Sequence, residues 1–168
     1  PPVQTLPLRW RRSQSGGTGR CYRQGLDSQN LAPRVLVLTL DTSALFAIMR
    51  ADDPAHARIR AARDEDPGPY FVPAGILVEV GYLVESRLGL AVLENFLSDL
   101  ASGAYSLDCG EHDFLRIKEL VHRYANLPLG LADASVVACA ERHRGRVLTI
   151  DRRDFDLLAR EGTIIVLP

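Results

Sequence analysis

The sequence predicts an α/β domain built on a parallel sheet, and three observations carry that expectation. Short apolar runs of strand length alternate with longer stretches whose apolar residues recur at three-to-four spacing. Such alternation implies βαβ units joined by right-handed crossovers. Two of the runs, Val35-Leu36-Val37-Leu38-Thr39-Leu40 and Val147-Leu148-Thr149-Ile150, end directly on an aspartate, Asp41 and Asp151. With no internal repeat in view, one domain is expected over about residues 35–168, long enough to bury a real core.

Composition narrows the function classes. No apolar run approaches the roughly 20 residues that a membrane-spanning helix needs, and the first residues lack the apolar segment of a secretory signal. The three cysteines, Cys21, Cys109 and Cys139, are odd in number and lack the close pairing of a zinc site. A reducing, cytoplasmic setting without membrane contact is the expectation. Charge is unevenly spread. Residues 1–34 carry six arginines against Asp27 alone, about +5, and with −1 for the whole chain this leaves about −6 for the rest. An acidic body suits a nucleic-acid partner only if some acids cluster around divalent cations, whose charge changes the local balance.

Residues 1–34 show no sustained periodicity, and Ser13-Gln14-Ser15-Gly16-Gly17-Thr18-Gly19 is linker-like. They read as a disordered basic extension. It is either dispensable or an arm that meets RNA through its arginines and Trp10. The strand over 35–40 then feeds a helix from about 43 to 50. Asp52-Asp53-Pro54 marks a fresh helix start, with Pro near its first position, and that helix runs through Arg63. Asp64-Glu65-Asp66-Pro67-Gly68-Pro69 reads as a solvated polar loop. Tyr70-Phe71-Val72 is a second strand closed by Pro73.

The next helix holds Ile76, Leu77, Val80, Leu83 and Val84 on one core-facing stripe, with Glu79 at its edge. A helix around 89–101 carries Leu93, Phe96, Leu97 and Leu100, and 104–107 form a short third strand. Cys109 to Asp113 open a helix that is expected to turn Phe114, Ile117, Leu120, Val121 and Tyr124 inward. His56, His112, His122 and His143 are expected at the surface, with no second ligand at metal-binding spacing. The small-residue stretch from Leu131 to Ala140 must be a helix buried on most sides, with Cys139 as a small hydrophobe. After Arg144-Gly145 comes the strand ending on Asp151, then a short helix with Asp154 and Asp156, and a closing strand over 163–166.

In an open α/β sheet, ligands bind outside the carboxyl ends of the strands, where Asp41 and Asp151 stand. Each acid also has an ordinary structural reading. Asp41 is a good N-cap, Glu79 an exposed helical glutamate, and Asp133 a first-turn acid favoured by the helix dipole. If the two Asp-ended strands are neighbours, however, Asp41, Glu79, Asp133 and Asp151 converge on one crevice. Four unpaired carboxylates would raise one another's pKa. Mg²⁺ or Mn²⁺ resolves that conflict, being hard and oxygen-seeking, and such ions activate water against phosphodiesters. Thr42, Ser43 and Thr149 are placed to orient carboxylates or water. Arg152 and Arg153 flank the last acid, as contacts for RNA phosphate or as solvated surface arginines. No Ser-His-Asp set, reactive cysteine or phosphate-cradling glycine loop competes for the chemistry.

Four segments, Leu40-Asp41-Thr42-Ser43-Ala44-Leu45, Val78-Glu79-Val80, Gly130-Leu131-Ala132-Asp133-Ala134 and Thr149-Ile150-Asp151-Arg152-Arg153-Asp154-Phe155, resemble the motifs of PIN-domain ribonucleases, the VapC-type toxins above all. The match runs in family order over about 35–168 and leaves 1–34 uncovered. It implies a three-layer α/β/α PIN-like domain with a central, mostly parallel sheet of four to five strands. It also implies metal-dependent endonucleolytic cleavage of RNA with Mg²⁺ or Mn²⁺, homodimerisation, and inhibition by a cognate VapB-type antitoxin. Residue by residue, Asp41, Glu79, Asp133 and Asp151 take the family's acidic metal-site positions, with Thr42, Thr149 and Asp154 as accessories. The long basic extension departs from the pattern. Two other enzyme readings fail on residues: a dehalogenase-like phosphatase needs an acid where Ser43 stands, and a phosphoacceptor receiver needs a late-strand lysine, whereas the only lysine is Lys118. The remaining alternative is a catalytically silent PIN-like module that binds RNA or protein.

Overall fold

The computed structural model describes residues 36–127 and 129–168, so the expected basic extension lies outside the described residues. In chain order the elements are β1 (Leu38–Leu40), α1 (Thr42–Met49), α2 (His56–Asp64), β2 (Tyr70–Pro73), a 3₁₀ turn (Ala74–Ile76), α3 (Leu77–Leu88) and α4 (Leu90–Ser102). Then follow β3 (Ser106–Asp108), α5 (Phe114–Arg123), α6 (Leu131–Arg142), β4 (Arg146–Leu148), α7 (Arg152–Arg160) and β5 (Ile165–Leu167). The five strands form one sheet in the order β3-β2-β1-β4-β5, and every pairing is parallel. Helices cover both faces, as right-handed crossovers leading outward in two directions from β1 require.

The topology reverses between β1 and β4. From β1 the chain moves to β2 and β3 on one side, and later returns to β4 and β5 on the other. The register places Thr39 against Val147 and Leu40 against Leu148, so the two strands that precede Asp41 and Asp151 are direct neighbours. Such a switch point opens a crevice at the carboxyl ends of the strands.

The core follows the apolar pattern. β1 is buried along its whole length, and α6 is buried continuously from Ala134 to Ala140, its small side chains letting it lie close on β1, β2 and β4. Where α6 meets the 3₁₀ turn, a Cβ on Gly75 would overlap the Ser135 Cβ at 2.7 Å, so this approach needs a glycine.

Several expectations are corrected. The strands are shorter than their apolar runs: β1 begins at Leu38 and β4 ends at Leu148, because Thr149 turns its hydroxyl to accept the Asp151 N–H at 3.0 Å. Asp66 is not in a solvated loop. It is only 4% exposed, accepts the Gly68 N–H and pairs with Arg146 of β4 at 2.5 Å. His143 is not on the surface; its ring packs edge-on to Phe71 with centroids 4.5 Å apart, and Nε2 lies 2.8 Å from Asp108. His56 is half-buried, with Nδ1 2.8 Å from the Ala47 carbonyl. Phe114, expected inward, is 68% exposed, and Leu97 and Val121 are exposed as well. The buried faces of α4 and α5 are narrower than the apolar spacing suggests.

Candidate active site

Asp41 is buried at the start of α1, where its extended backbone makes it the N-cap. Its Oδ2 accepts three hydrogen bonds, from Ser43 N at 3.2 Å, Ser43 Oγ at 2.6 Å and Thr149 Oγ1 at 2.8 Å. The structural and functional readings of Asp41 are therefore not exclusive. One oxygen caps the helix, and among the described residues every hydrogen bond that the side chain accepts falls on that oxygen. Ser43 Oγ also accepts the Ile150 N–H at 3.1 Å and lies 3.0 Å from Thr149 Oγ1. This hydroxyl pair stitches the loop after β1 to the loop after β4, fixing Asp41 relative to Asp151.

Glu79 sits on the exposed side of the first turn of α3, and Thr42 Oγ1 donates to its Oε2 at 2.9 Å. Asp133, in the first turn of α6, accepts the Gly130 N–H on Oδ2 at 3.1 Å. Asp151 is exposed at the N-cap of α7. Two helices, α3 and α6, and two strand ends, those of β1 and β4, thus aim at one crevice. Burial pushes the Asp133 carboxyl up to about 6, against the Gly130 hydrogen bond and with help from the charges of Asp41, Asp151 and Glu79. Among the described residues none of the four acids is ion-paired with an arginine, lysine or histidine.

The other sequence-derived positions are more ordinary. Arg152 pairs with Asp156 along α7 at 3.0 Å, and Arg153 is largely exposed with Nε 4.0 Å from Asp154. Asp154 itself is half-buried in the first turn of α7.

A second charged cluster was not legible in the sequence. Among the described residues, the one set of three metal-ligating atoms within 4.8 Å of one another belongs to Asp108, Cys139 and His143. It reads as an ion-pair network rather than a metal centre. Arg142 donates to Asp108 at 2.6 Å and to both oxygens of Asp113 at 2.9 Å. Despite burial, hydrogen bonds from His143 and Arg142 hold Asp108 well below the usual carboxylate range, while burial pushes the Cys139 thiol up and keeps it protonated. The carboxylates of this set already have cationic partners of their own in Arg142 and His143. The partners come from β3, the loop before α5 and the end of α6, and nothing in the local spacing announces the pairing.

Comparison with known proteins sharpens the picture. Residues 38–161 match the PIN domain family. The chain is 36% identical over 127 residues to Ribonuclease VapC26 of Mycobacterium tuberculosis (strain ATCC 25618 / H37Rv), spanning 74% of this chain and 94% of that protein. Its fold is similar to the crystal structure of VapC20 of Mycobacterium tuberculosis, a sarcin-ricin loop cleaving toxin. That superposition has a TM-score of 0.66 at 19% identity, covering 78% of this chain and 99% of the other.

Proposed function

This chain belongs to the PIN-domain family, and we propose that it acts as a VapC-type endoribonuclease, the toxin of a type II toxin–antitoxin pair. One observation carries the reading: Asp41 and Asp151 follow the neighbouring strands β1 and β4, Glu79 and Asp133 join them from α3 and α6, and among the described residues no cation is paired to any of the four. Such a group of acids, gathered at the switch point of the sheet, suits a divalent ion. The donors are all carboxylate oxygens, a set that fits Mg²⁺ or Mn²⁺ and not a thiophilic metal. Asp41, Glu79, Asp133 and Asp151 would hold it. When bound, the ion supplies Lewis acidity for hydrolysis of an RNA phosphodiester.

The chain's own contribution is orientation. Asp41, Glu79 and Asp133 each have one oxygen anchored, by Ser43 and Thr149, by Thr42, and by the Gly130 amide respectively. The second oxygen of each is the one offered to the ligand. Thr42 and Thr149 are accordingly positioning residues. Asp154 serves as an accessory acid, and Arg152 and Arg153 receive RNA phosphate at the rim. The nuclease unit is residues 35–168, with 1–34 as a basic extension. A VapB-type antitoxin as inhibitor, a homodimer as working assembly and the cytoplasm as location complete the reading. Among the described residues no helix is long and apolar enough to cross a membrane.

The test incubates protein stripped of bound partner with total RNA, in Mg²⁺, in Mn²⁺ and in EDTA, beside Asp41→Asn. Discrete fragments that need both the metal and Asp41 are expected. Intact RNA in every lane, from folded and inhibitor-free protein, would replace the nuclease with a binding module.

A further inference from the structure

A cavity of about 220 Å³ lies against the first turns of α6, on the face of the helix turned away from Asp133. Leu131 and Ser135 line it, and Asp133, between them in sequence, lies about 160–200° round the helix from both at 3.6 residues per turn. Cavity and crevice are therefore about one helix width, 10–12 Å, apart. Pro73, Gly75, Phe114 and Ile117 form the other walls. We propose that this cavity receives one base of the RNA strand next to the scissile phosphate, with Phe114 stacking on its face. The inference rests on the ribonuclease reading above.

Size, lining and charge all favour a base. The volume falls below the roughly 300–1,000 Å³ of pockets that enclose drug-sized ligands, which suits one flat ring system and not a whole nucleotide. One wall is rigid, since Gly75 packs so close to Ser135 that a Cβ there would collide. Phe114 and Leu131 stand at the cavity while remaining largely exposed, Phe114 at the very start of α5. Exposed aromatic rings beside a nucleic-acid path are stacking platforms.

The charge of the far wall selects against phosphate. Asp108 and Asp113 both border the cavity, and the cations nearest them, Arg142 and His143, are turned onto these two carboxylates and not into the cavity. Those carboxylates are already engaged by Arg142, His143 and the Gly110 amide. They are not available to read a base edge. Recognition there is by stacking and shape, which predicts a modest purine preference at one position and not a strict sequence.

The experiment cleaves a random-sequence RNA pool with the metal-loaded full chain and sequences the new ends. Wild type is compared with Phe114→Ala, Phe114→Trp and Leu131→Ala, all at exposed positions. Wild type is expected to show purine enrichment at one position beside the cut. Phe114→Ala should flatten that position and raise KM about ten-fold, the order of one lost base stack, with kcat changed far less, and Phe114→Trp should restore both. Efficient cleavage with superimposable profiles and KM values for wild type and Phe114→Ala would overturn the base pocket while leaving the ribonuclease standing. So would unchanged cleavage with loss of inhibition by a bound antitoxin, which would make the cavity a protein contact. No cleavage by wild type with any divalent ion would overturn the ribonuclease reading, and the pocket with it.

Discussion

The two ends of α6 carry carboxylate clusters that are built in opposite ways. At its first turn Asp133 joins Asp41, Glu79 and Asp151, burial pushes its carboxyl up to about 6, and among the described residues no cationic side chain pairs with the group. At its last turn Arg142 and the following His143 meet Asp108 and Asp113, and Asp108 is held well below its usual range. Both clusters are partly buried and both draw on several elements. One leaves its charge uncompensated, the other cancels most of it. Buried charge costs stability unless paired, so the first cluster carries a cost that the second avoids, and in the proposed function a divalent ion is what relieves it.

The sharpest way to break this comparison is Asp41→Asn. It keeps the helix cap nearly isosteric but removes a charge from the crevice, and RNA cleavage in Mg²⁺ should fall by about 10²–10³-fold or more, the scale of losing a principal electrostatic group. Circular dichroism should remain that of the wild type. If Asp41→Asn cuts RNA at the normal rate, the first-turn cluster is not the active site.

The opposite cluster should respond in folding. Arg142→Ala strands Asp108 and Asp113, whose side chains are both 8% exposed, without their shared cation. Breaking a buried pair costs about 3–5 kcal/mol, and the partial exposure of Arg142 reduces this to about 2–4 kcal/mol. Urea unfolding reads it directly. A loss under about 0.5 kcal/mol would place this network among surface pairs worth little.

The same logic predicts a gain at the first turn. Because the folded Asp133 carboxyl stands near 6, above its usual 3.8, the native state holds more proton than the unfolded chain between those values. Wild-type stability contributed by this group therefore falls as pH rises through that window. In EDTA at pH 7, Asp133→Asn should be more stable than wild type by about 1–2 kcal/mol after discounting for solvent screening, and the advantage should vanish by about pH 4. Saturating Mg²⁺ should stabilise wild type and leave the variant behind, since a ligand that binds only the folded state raises its stability by mass action. Equal melting temperatures for both proteins in EDTA from pH 4 to pH 7 would count against an uncompensated cluster.

The smallest effect belongs to the rim. Arg152→Ala removes an exposed pair with Asp156 spaced one helical turn away, worth only about 0.3–0.5 kcal/mol. If Arg152 meets a phosphate, RNA binding should weaken across sequences and its salt dependence should drop by about one counterion. An unchanged salt slope would return Arg152 to the solvated surface.

The sequence disclosed what is local and withheld what is not. The parallel sheet followed from alternating periodicities, and the neighbouring of the two Asp-ended strands was a condition that β1–β4 pairing meets. The burial of α6 followed from its run of small apolar residues. Asp66, by contrast, sits in a stretch that looks like any polar turn, and only Arg146, 80 positions away on β4, makes it a buried ion pair. His143 looks like a helix-end histidine until Phe71 and Asp108 arrive from other strands. Phe114 has the right spacing to face inward, yet spacing gives the direction of a buried stripe and not its width, and α5 buries only its narrow middle. Ion pairs between distant elements leave no period in the chain, which is why the compensated cluster was invisible while strand-ended acids were plain.

The stitch among Asp41, Ser43 and Thr149 has a consequence in time. Its two halves lie 108 positions apart in the chain, and β1 cannot pair with β4 until nearly the whole domain has been synthesised. Translation delivers the N-terminal elements first, and for most of that interval Asp41 has its helix to cap and β2 beside its strand, but not the Thr149 hydroxyl that fixes its direction. A chain interrupted before Arg146 lacks β4, Thr149 and Asp151 altogether. Late closure therefore means that Asp41 and Asp151, which come from opposite ends of the domain, are brought together only in the last stretch of the chain.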